Sequence, residues 1–226
     1  MIRNLLFQNR AEAGKALGRA LVDMKLADPV VLALPRGGVP VGYEVAKALG
    51  APLDVILVRK IGAPGHKEYG IGAVVDGSAM QTVINEAAAR MVGADRAYIE
   101  REVARELGVI ERRREAYRSG PPVPVKGRTV VVIDDGIATG STAMVALQAL
   151  AKAGPSRIIL AVPVAPRDSL NSLRGLCDDV VCLLMPEPFH AVGAHYRDFG
   201  QTSDDEVIRL LEDARLDIED HADRMG

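Results

Sequence analysis

Val130-Val131-Val132-Ile133-Asp134-Asp135-Gly136-Ile137-Ala138-Thr139-Gly140-Ser141-Thr142 runs from an apolar segment through two acids into a turn rich in glycine and hydroxyls. Four successive β-branched residues predict a strand buried on both faces, as in a parallel sheet covered by helices. In open sheets of that kind the ligand crevice lies beyond the carboxyl ends of the strands, where the two acids fall. A helix is predicted from about Ser141 to Ala153, so the turn brings backbone N–H groups and the positive end of a helix dipole to the same place. Thr139, Ser141 and Thr142 add hydroxyl donors, while Gly136 and Gly140 let the main chain approach an anion closely. The run is a cradle for a phosphate monoester. Paired acids beside it suit a ligand whose hydroxyls lie near its phosphate, as in ribose 5-phosphate. An isolated Asp-Asp would read only as a strand end.

The surrounding chain agrees with an α/β fold. After the cradle, strands are predicted at Arg157 to Val164 and Val180 to Leu184, with a helix at about Arg167 to Leu173. Before it come a helix from about Arg10 to Lys25 capped by Asn9, a strand at Val30 to Leu34, a helix at Val41 to Leu49 and a strand at Leu53 to Val58. Ile61 to Gly72, with its glycines and polar residues, reads as a mobile loop. Short extended segments near Ile71 to Val75 and Thr82 to Asn85 suit an antiparallel excursion, and Glu86 to Arg118 reads as helical. Pro186 to Thr202 is irregular and holds Phe189, His190, His195, Tyr196 and Phe199; an amphipathic helix from Ser203 to about Asp217 follows.

At 226 residues, 48% hydrophobic and 26% charged, the chain has the composition of one globular domain. A net charge of −2 lacks the basic excess used to bind nucleic acid backbones. The Arg112-Arg113-Arg114 cluster does not change this, because Asp95 to Arg118 carries seven Arg against six acids. The apolar runs are too short for a membrane span and Met1-Ile2-Arg3-Asn4 does not open a signal peptide, so a cytoplasmic protein is expected. Cys177 and Cys182 match no zinc or redox spacing. Gly140 is followed by Ser141 without the lysine of a Walker A loop, and Gly70-Ile71-Gly72 is not completed as a dinucleotide fingerprint.

The strand, two acids and Thr/Gly/Ser loop resemble the signature of the type I phosphoribosyltransferases. The resemblance implies a twisted parallel sheet flanked by helices, with a flexible loop and a small C-terminal hood at about 186–202. It also implies one domain over 1–226, with a helical insertion at about 86–120. In function it implies Mg2+-dependent transfer of a phosphoribosyl group from phosphoribosyl pyrophosphate to a nitrogen acceptor, a nucleobase in most of the family. Asp134 and Asp135 would then hold the ribose hydroxyls, and Ala138, Thr139, Gly140, Ser141 and Thr142 the 5-phosphate. Arg36, Gly37 and Gly38 would meet the pyrophosphate, helped by Arg59, Lys60 and Lys67. The magnesium would be held mainly by substrate, with water linking it to Asp134 or Asp135, and the protein would be a homodimer.

A closer likeness, over nearly the full length, is to a bacterial group of stand-alone phosphoribosyltransferase-like proteins. It rests on Leu34-Pro35-Arg36-Gly37-Gly38-Val39-Pro40, Arg59-Lys60-Ile61-Gly62-Ala63-Pro64-Gly65, Asp134 to Thr142 and Pro186-Glu187-Pro188-Phe189. The chain departs from that pattern at His66-Lys67, His190 and His195. Phe189, Tyr196 and Phe199 are candidates to stack on an acceptor base, and His190 or His195 to accept its proton; core anchoring is the competing reading. Two other functional readings stand beside the enzyme. One is a non-catalytic sensor of phosphoribosyl pyrophosphate or nucleotides, and the other a binder of a different sugar phosphate.

Overall fold

The computed structural model describes residues 6–76, 80–118 and 120–223, apart from the side chains of Lys67, Glu68 and residues 220–223. In chain order the elements are α1 (Arg10–Val22), β1 (Pro29–Ala33), α2 (Gly38–Leu49), β2 (Leu53–Val55), β3 (Leu57–Ala63), β4 (His66–Asp76) and β5 (Met80–Ile84). They continue with α3 (Glu86–Met91), α4 (Arg96–Tyr117), β6 (Thr129–Ile133), α5 (Ser141–Lys152), β7 (Arg157–Val164), α6 (Arg167–Leu173), β8 (Asp179–Leu184) and α7 (Asp204–Asp223).

A five-stranded sheet in the order β2-β1-β6-β7-β8 is parallel throughout. Alternate side chains feed opposite cores. Val31, Ala33, Val131, Ile133, Ile159 and Ala161 pack with Leu17 and Leu21 of α1, Val41 and Val45 of α2 and Val207 and Leu210 of α7. Val30, Leu32, Val130, Val132, Leu160 and Val162 face Ala146, Leu147 and Leu150 of α5 and Leu170 and Leu173 of α6. The central strands are buried on both sides, which is why they are apolar without alternation.

Three sequence expectations are corrected. The apolar run Leu53 to Val58 is two strands, because the chain leaves the parallel sheet after Val55 and starts a separate antiparallel sheet, β3-β4-β5. Ile56 marks the break, fully buried, its N–H donating to the Ala33 carbonyl at 3.0 Å. Ile61 to Gly72 is a strand-turn-strand ribbon rather than a loop, turning at Pro64 and Gly65. Its glycines and register shifts at Ile61 to Ala63 hide the two-residue period of a hairpin. The helical stretch 86–118 is two helices, separated where Gly93 turns to φ +67°.

Arg118, just beyond α4, clamps this excursion to the main sheet. Its guanidinium donates to Asp54 on β2 and Asp76 at the end of β4, both at 2.8 Å, and to the Val55 carbonyl at 2.8 Å. All three side chains are at most 8% exposed. Val123 N–H donates to the other Asp54 oxygen at 3.0 Å. Buried ions are tolerated here because each has partners.

Candidate active site

Two loops meet beyond the carboxyl ends of β1 and β6. Asp134 and Asp135 follow β6 directly, and the Asp135 N–H donates to Asp134 Oδ1 at 2.9 Å. The loop after β1 lies across them, with a cis bond between Pro35 and Arg36 and with Leu34 N–H donating to the Ile133 carbonyl at 2.8 Å. Glycine is required at 37 by proximity: a Cβ there would be 2.0 Å from Asp135 Oδ2. The cradle turns through Gly140 at φ +76°, where other residues are strained, and α5 begins at once. Thr139 and Ser141 hydroxyls lie 2.8 Å apart, and Ser169 of α6 donates to the Ala138 carbonyl at 2.6 Å. Thr142 occupies the first turn of α5.

Lys60 reaches this cradle from β3, its Nζ donating to Ser141 Oγ at 3.2 Å. Its neighbour does not. Successive side chains on a strand point to opposite faces, and Arg59 turns to α4, where Nε donates to buried Glu106 at 2.8 Å. Arg105 also donates to Glu106 at 2.8 Å. Arg36 is half-buried, with its nearest carboxylate, Asp204 of α7, 3.9 Å away. That same carboxylate accepts from the Tyr117 hydroxyl, and burial followed by Asp204 pushes Tyr117 up to about 12. The side chain of Lys67 lies outside the described residues.

The hood is built from both ends of the chain. Phe7 bridges Tyr196: its N–H donates to the His195 carbonyl at 2.9 Å, and Arg197 N–H returns to the Phe7 carbonyl at 2.9 Å. Tyr196 is an anchor, buried against Phe7 with ring centroids 5.6 Å apart, and its hydroxyl donates to the Asp135 carbonyl at 2.5 Å. That geometry removes its ring from the candidates for stacking. Phe189 lies 5.7 Å from His195 in a stacked pair, while Phe199 is at the surface. Exposed His190 joins His195, Met185, Pro186 and Pro188 around a cavity of 580 Å3. Burial, then the charge of His190, lowers the His195 pKa from 6.5.

Arg10 is the residue that sequence reasoning missed. As the first residue of α1 it donates from Nε to Asp135 Oδ2 at 2.8 Å and from Nη1 to the Gly200 carbonyl at 2.6 Å. A signal existed: an arginine in the first turn opposes the helix dipole, so it calls for an anionic partner elsewhere. Loss of water raises the pKa of both acids. At Asp134 the charge of Asp135 adds to the rise, whereas Arg10 opposes it at Asp135. The rise is the larger at Asp134, which Arg10 does not hydrogen-bond. Among the described residues no cluster of three or more His, Cys, Asp or Glu could hold a metal, and no helix is long and apolar enough to cross a membrane.

Comparison with known proteins places this geometry. The family profile described as the phosphoribosyl transferase domain matches residues 7–197. A Mycobacterium tuberculosis protein provisionally named a phosphoribosyl transferase is 44% identical over 214 residues, which is 94% of this chain and 48% of that protein. The chain thus spans about half the length of that relative. Ribose-phosphate pyrophosphokinase of Methanopyrus kandleri is 30% identical over 177 residues, 69% of this chain and 61% of that enzyme. The crystal structure of the Thermus thermophilus protein TT1426 superposes with a TM-score of 0.82 at 45% identity, covering 92% of this chain and 98% of that one. The matched region holds the acid pair, the hydroxyl-lined cradle and the glycine loop pressed on them, and by it this chain belongs to the phosphoribosyl transferase domain family.

Proposed function

We propose that the chain acts as one Mg2+-dependent unit, transferring the 5-phosphoribosyl group from phosphoribosyl pyrophosphate to a nitrogen of a nucleobase and releasing pyrophosphate. The observation that carries this reading is the convergence of a phosphate cradle, two carboxylates and Lys60 around one crevice, with Lys60 Nζ 3.2 Å from Ser141 Oγ. Ala138 to Thr142 bind the 5-phosphate, Asp134 and Asp135 the ribose hydroxyls, and Arg36, Gly37 and Gly38 the pyrophosphate. Lys60 spans phosphate and leaving group, while Arg59 and Lys67 lie on the ribbon beside it.

The residues fit a magnesium ion, since the Asp134 carboxylate is an oxygen donor with no ion-pair partner among the described residues and Arg10 satisfies only Asp135. Water would link the ion to the acids, with substrate oxygens supplying most of its ligands. When bound, it offsets charge on the pyrophosphate oxygens. As the C1–O bond breaks, positive charge grows on the ribose and negative charge on the leaving group. Arg36 and Lys60 oppose the latter. The nitrogen attacks C1 and loses a proton; His195, held neutral at pH 7 by burial, accepts it at an imidazole nitrogen. The 580 Å3 cavity beside it, which has the volume of a small-molecule site, receives the base.

This reading makes the protein a cytoplasmic homodimer without a nucleic acid partner. The test is pyrophosphate release on mixing with magnesium, phosphoribosyl pyrophosphate and a panel of purines and pyrimidines, with and without chelator. Release that needs both metal and one base supports the reading. A second reading, a sensor that binds without turnover, is favoured by the engagement of Arg59 with Glu106 instead of the crevice. Saturable binding with no release for any base selects it. Equal affinity for ribose 5-phosphate and the activated sugar would sink both and leave another sugar-phosphate function.

A further inference from the structure

We infer that Arg10 is a positioning residue, which sets the Asp135 carboxylate for the ribose and locks the C-terminal hood to it. The inference rests on the phosphoribosyl reading above. Four parts of the molecule meet at this guanidinium. Nε donates to Asp135 Oδ2 at 2.8 Å, and Nη1 donates to the Gly200 carbonyl at 2.6 Å. Its flat face covers the Phe199 ring, with Cζ 4.0 Å from the centroid. A Cβ at Gly37, in the pyrophosphate loop, would lie 3.3 Å from Nε.

The chemistry suits positioning and not substrate contact. A guanidinium offers a fixed fork of donors and a face that stacks, so one side chain can orient a carboxylate, hold a carbonyl and seat an aromatic ring. Its side chain is 13% exposed and that of Asp135 14%, so solvent screens the pair little. Phe199 in turn leans on Tyr196, ring centroids 5.0 Å apart, and the Tyr196 hydroxyl holds the Asp135 carbonyl. The result is a closed circuit from Asp135 through Arg10, Phe199 and Tyr196 back to Asp135. Orientation of the ribose acid and seating of the hood are therefore one event. Asp134 stands outside the circuit, its Oδ1 accepting the Asp135 N–H at 2.9 Å.

The test uses calorimetry of phosphoribosyl pyrophosphate with magnesium on the wild type and on R10Q, R10K, D135N and R10Q/D135N. R10Q is expected to weaken binding about ten-fold or more, the loss of a charged hydrogen bond. R10K, which keeps a cation beside Asp135 but loses the fork and the stacking face, is expected to recover part of the affinity lost in R10Q. The double variant should bind no more weakly than D135N alone, since a neutral Asn has no charge to orient. Hydrogen exchange of the amides at 197–202 should rise in R10Q. Losses that multiply in the double variant, R10K as weak as R10Q, or unchanged exchange would overturn the inference.

If the wild type fails to bind the activated sugar, the phosphoribosyl reading fails by itself. The pairing is then judged from thermal unfolding, where the cost of R10Q should vanish in the D135N background. Should R10Q not fold, R10Q/D135N should, because its buried charge is gone. A double variant that also fails to fold overturns the pairing.

Discussion

Replacing Gly37 with alanine isolates the close approach on which the site depends. Its backbone, φ −60° and ψ −32°, is ordinary for alanine, so no conformational strain enters. The only cost is contact. The new Cβ would stand 2.0 Å from Asp135 Oδ2, against an ordinary carbon–oxygen approach of about 3.3 Å, so the carboxylate or the loop must retreat by about 1.3 Å. The Arg10 bond, 2.8 Å long, tolerates about 0.4 Å before it ceases to be a good hydrogen bond. Losing it costs about 1.5–3 kcal/mol. Alanine returns about 0.4–1 kcal/mol by restricting the unfolded chain.

The net loss of folding stability is about 0.5–2.6 kcal/mol, while displacement of the Asp135 carboxylate should separately weaken binding of phosphoribosyl pyrophosphate about ten-fold or more. Urea unfolding and calorimetry read the two quantities, with Gly175→Ala as control because a Cβ there meets nothing within 4 Å. A Gly37→Ala protein with wild-type stability and affinity would refute the claim that this loop rests on Asp135.

Arg118→Met leaves Asp54 and Asp76 buried without their cation and is expected to cost about 3–5 kcal/mol in denaturant unfolding; a loss below about 1 kcal/mol would mean the excursion is held by other contacts. Lys60→Ala should leave stability within about 0.5 kcal/mol of the wild type yet weaken ligand binding about ten-fold. Arg59→Ala should do the reverse, costing about 1–2 kcal/mol of stability by removing one of the two cations on buried Glu106, with little effect on affinity. Equal phenotypes for the two would contradict their opposite facing. Burial, then the Asp135 charge, raises the Asp134 carboxyl well above 3.8, so the folded state holds that proton more tightly than the unfolded chain. The associated stability is complete below pH 3.8 and is lost as pH rises through the raised value. Asp134→Asn should accordingly unfold at a higher temperature than the wild type at pH 7, by a margin that closes toward about pH 4, while binding the activated sugar more weakly; a constant margin across pH would refute the assignment.

The elements that carry chemistry are the most legible in sequence. β7 and α6 begin and end where periodicity puts them, and α5 starts at Ser141 directly after the cradle. Their signals are local, since a doubly buried strand must be apolar and an anion turn needs glycine and hydroxyls in sequence. The first helix after β1 starts at Gly38, three residues before the apolar pattern of Val41 to Leu49 begins, because Gly38 and Val39 form its first turn against the acids. The doublet Arg59-Lys60 reads in sequence as two cations for one leaving group; strand geometry separates them, and only the position of Glu106, 47 residues later, says which is which. Tyr196 reads in sequence either as a platform for a base or as a core anchor, because an aromatic residue in an irregular segment has no readable depth; its burial against Phe7 decides for the anchor.

Sequence alone determined the kind of sheet, the crevice at its carboxyl edge and the glycine- and hydroxyl-rich turn that follows two acids, since these follow from backbone sterics and hydrogen-bonding groups a few residues apart. Tertiary structure decided which charges meet. Arg10 and Asp135 are 125 residues apart in the chain, as Arg118 and Asp54 are 64 apart, and their pairing is set by how helices and strands stack. A charge in sequence has no direction. Only the packed fold, which excludes water and fixes distance, turns it into a partner.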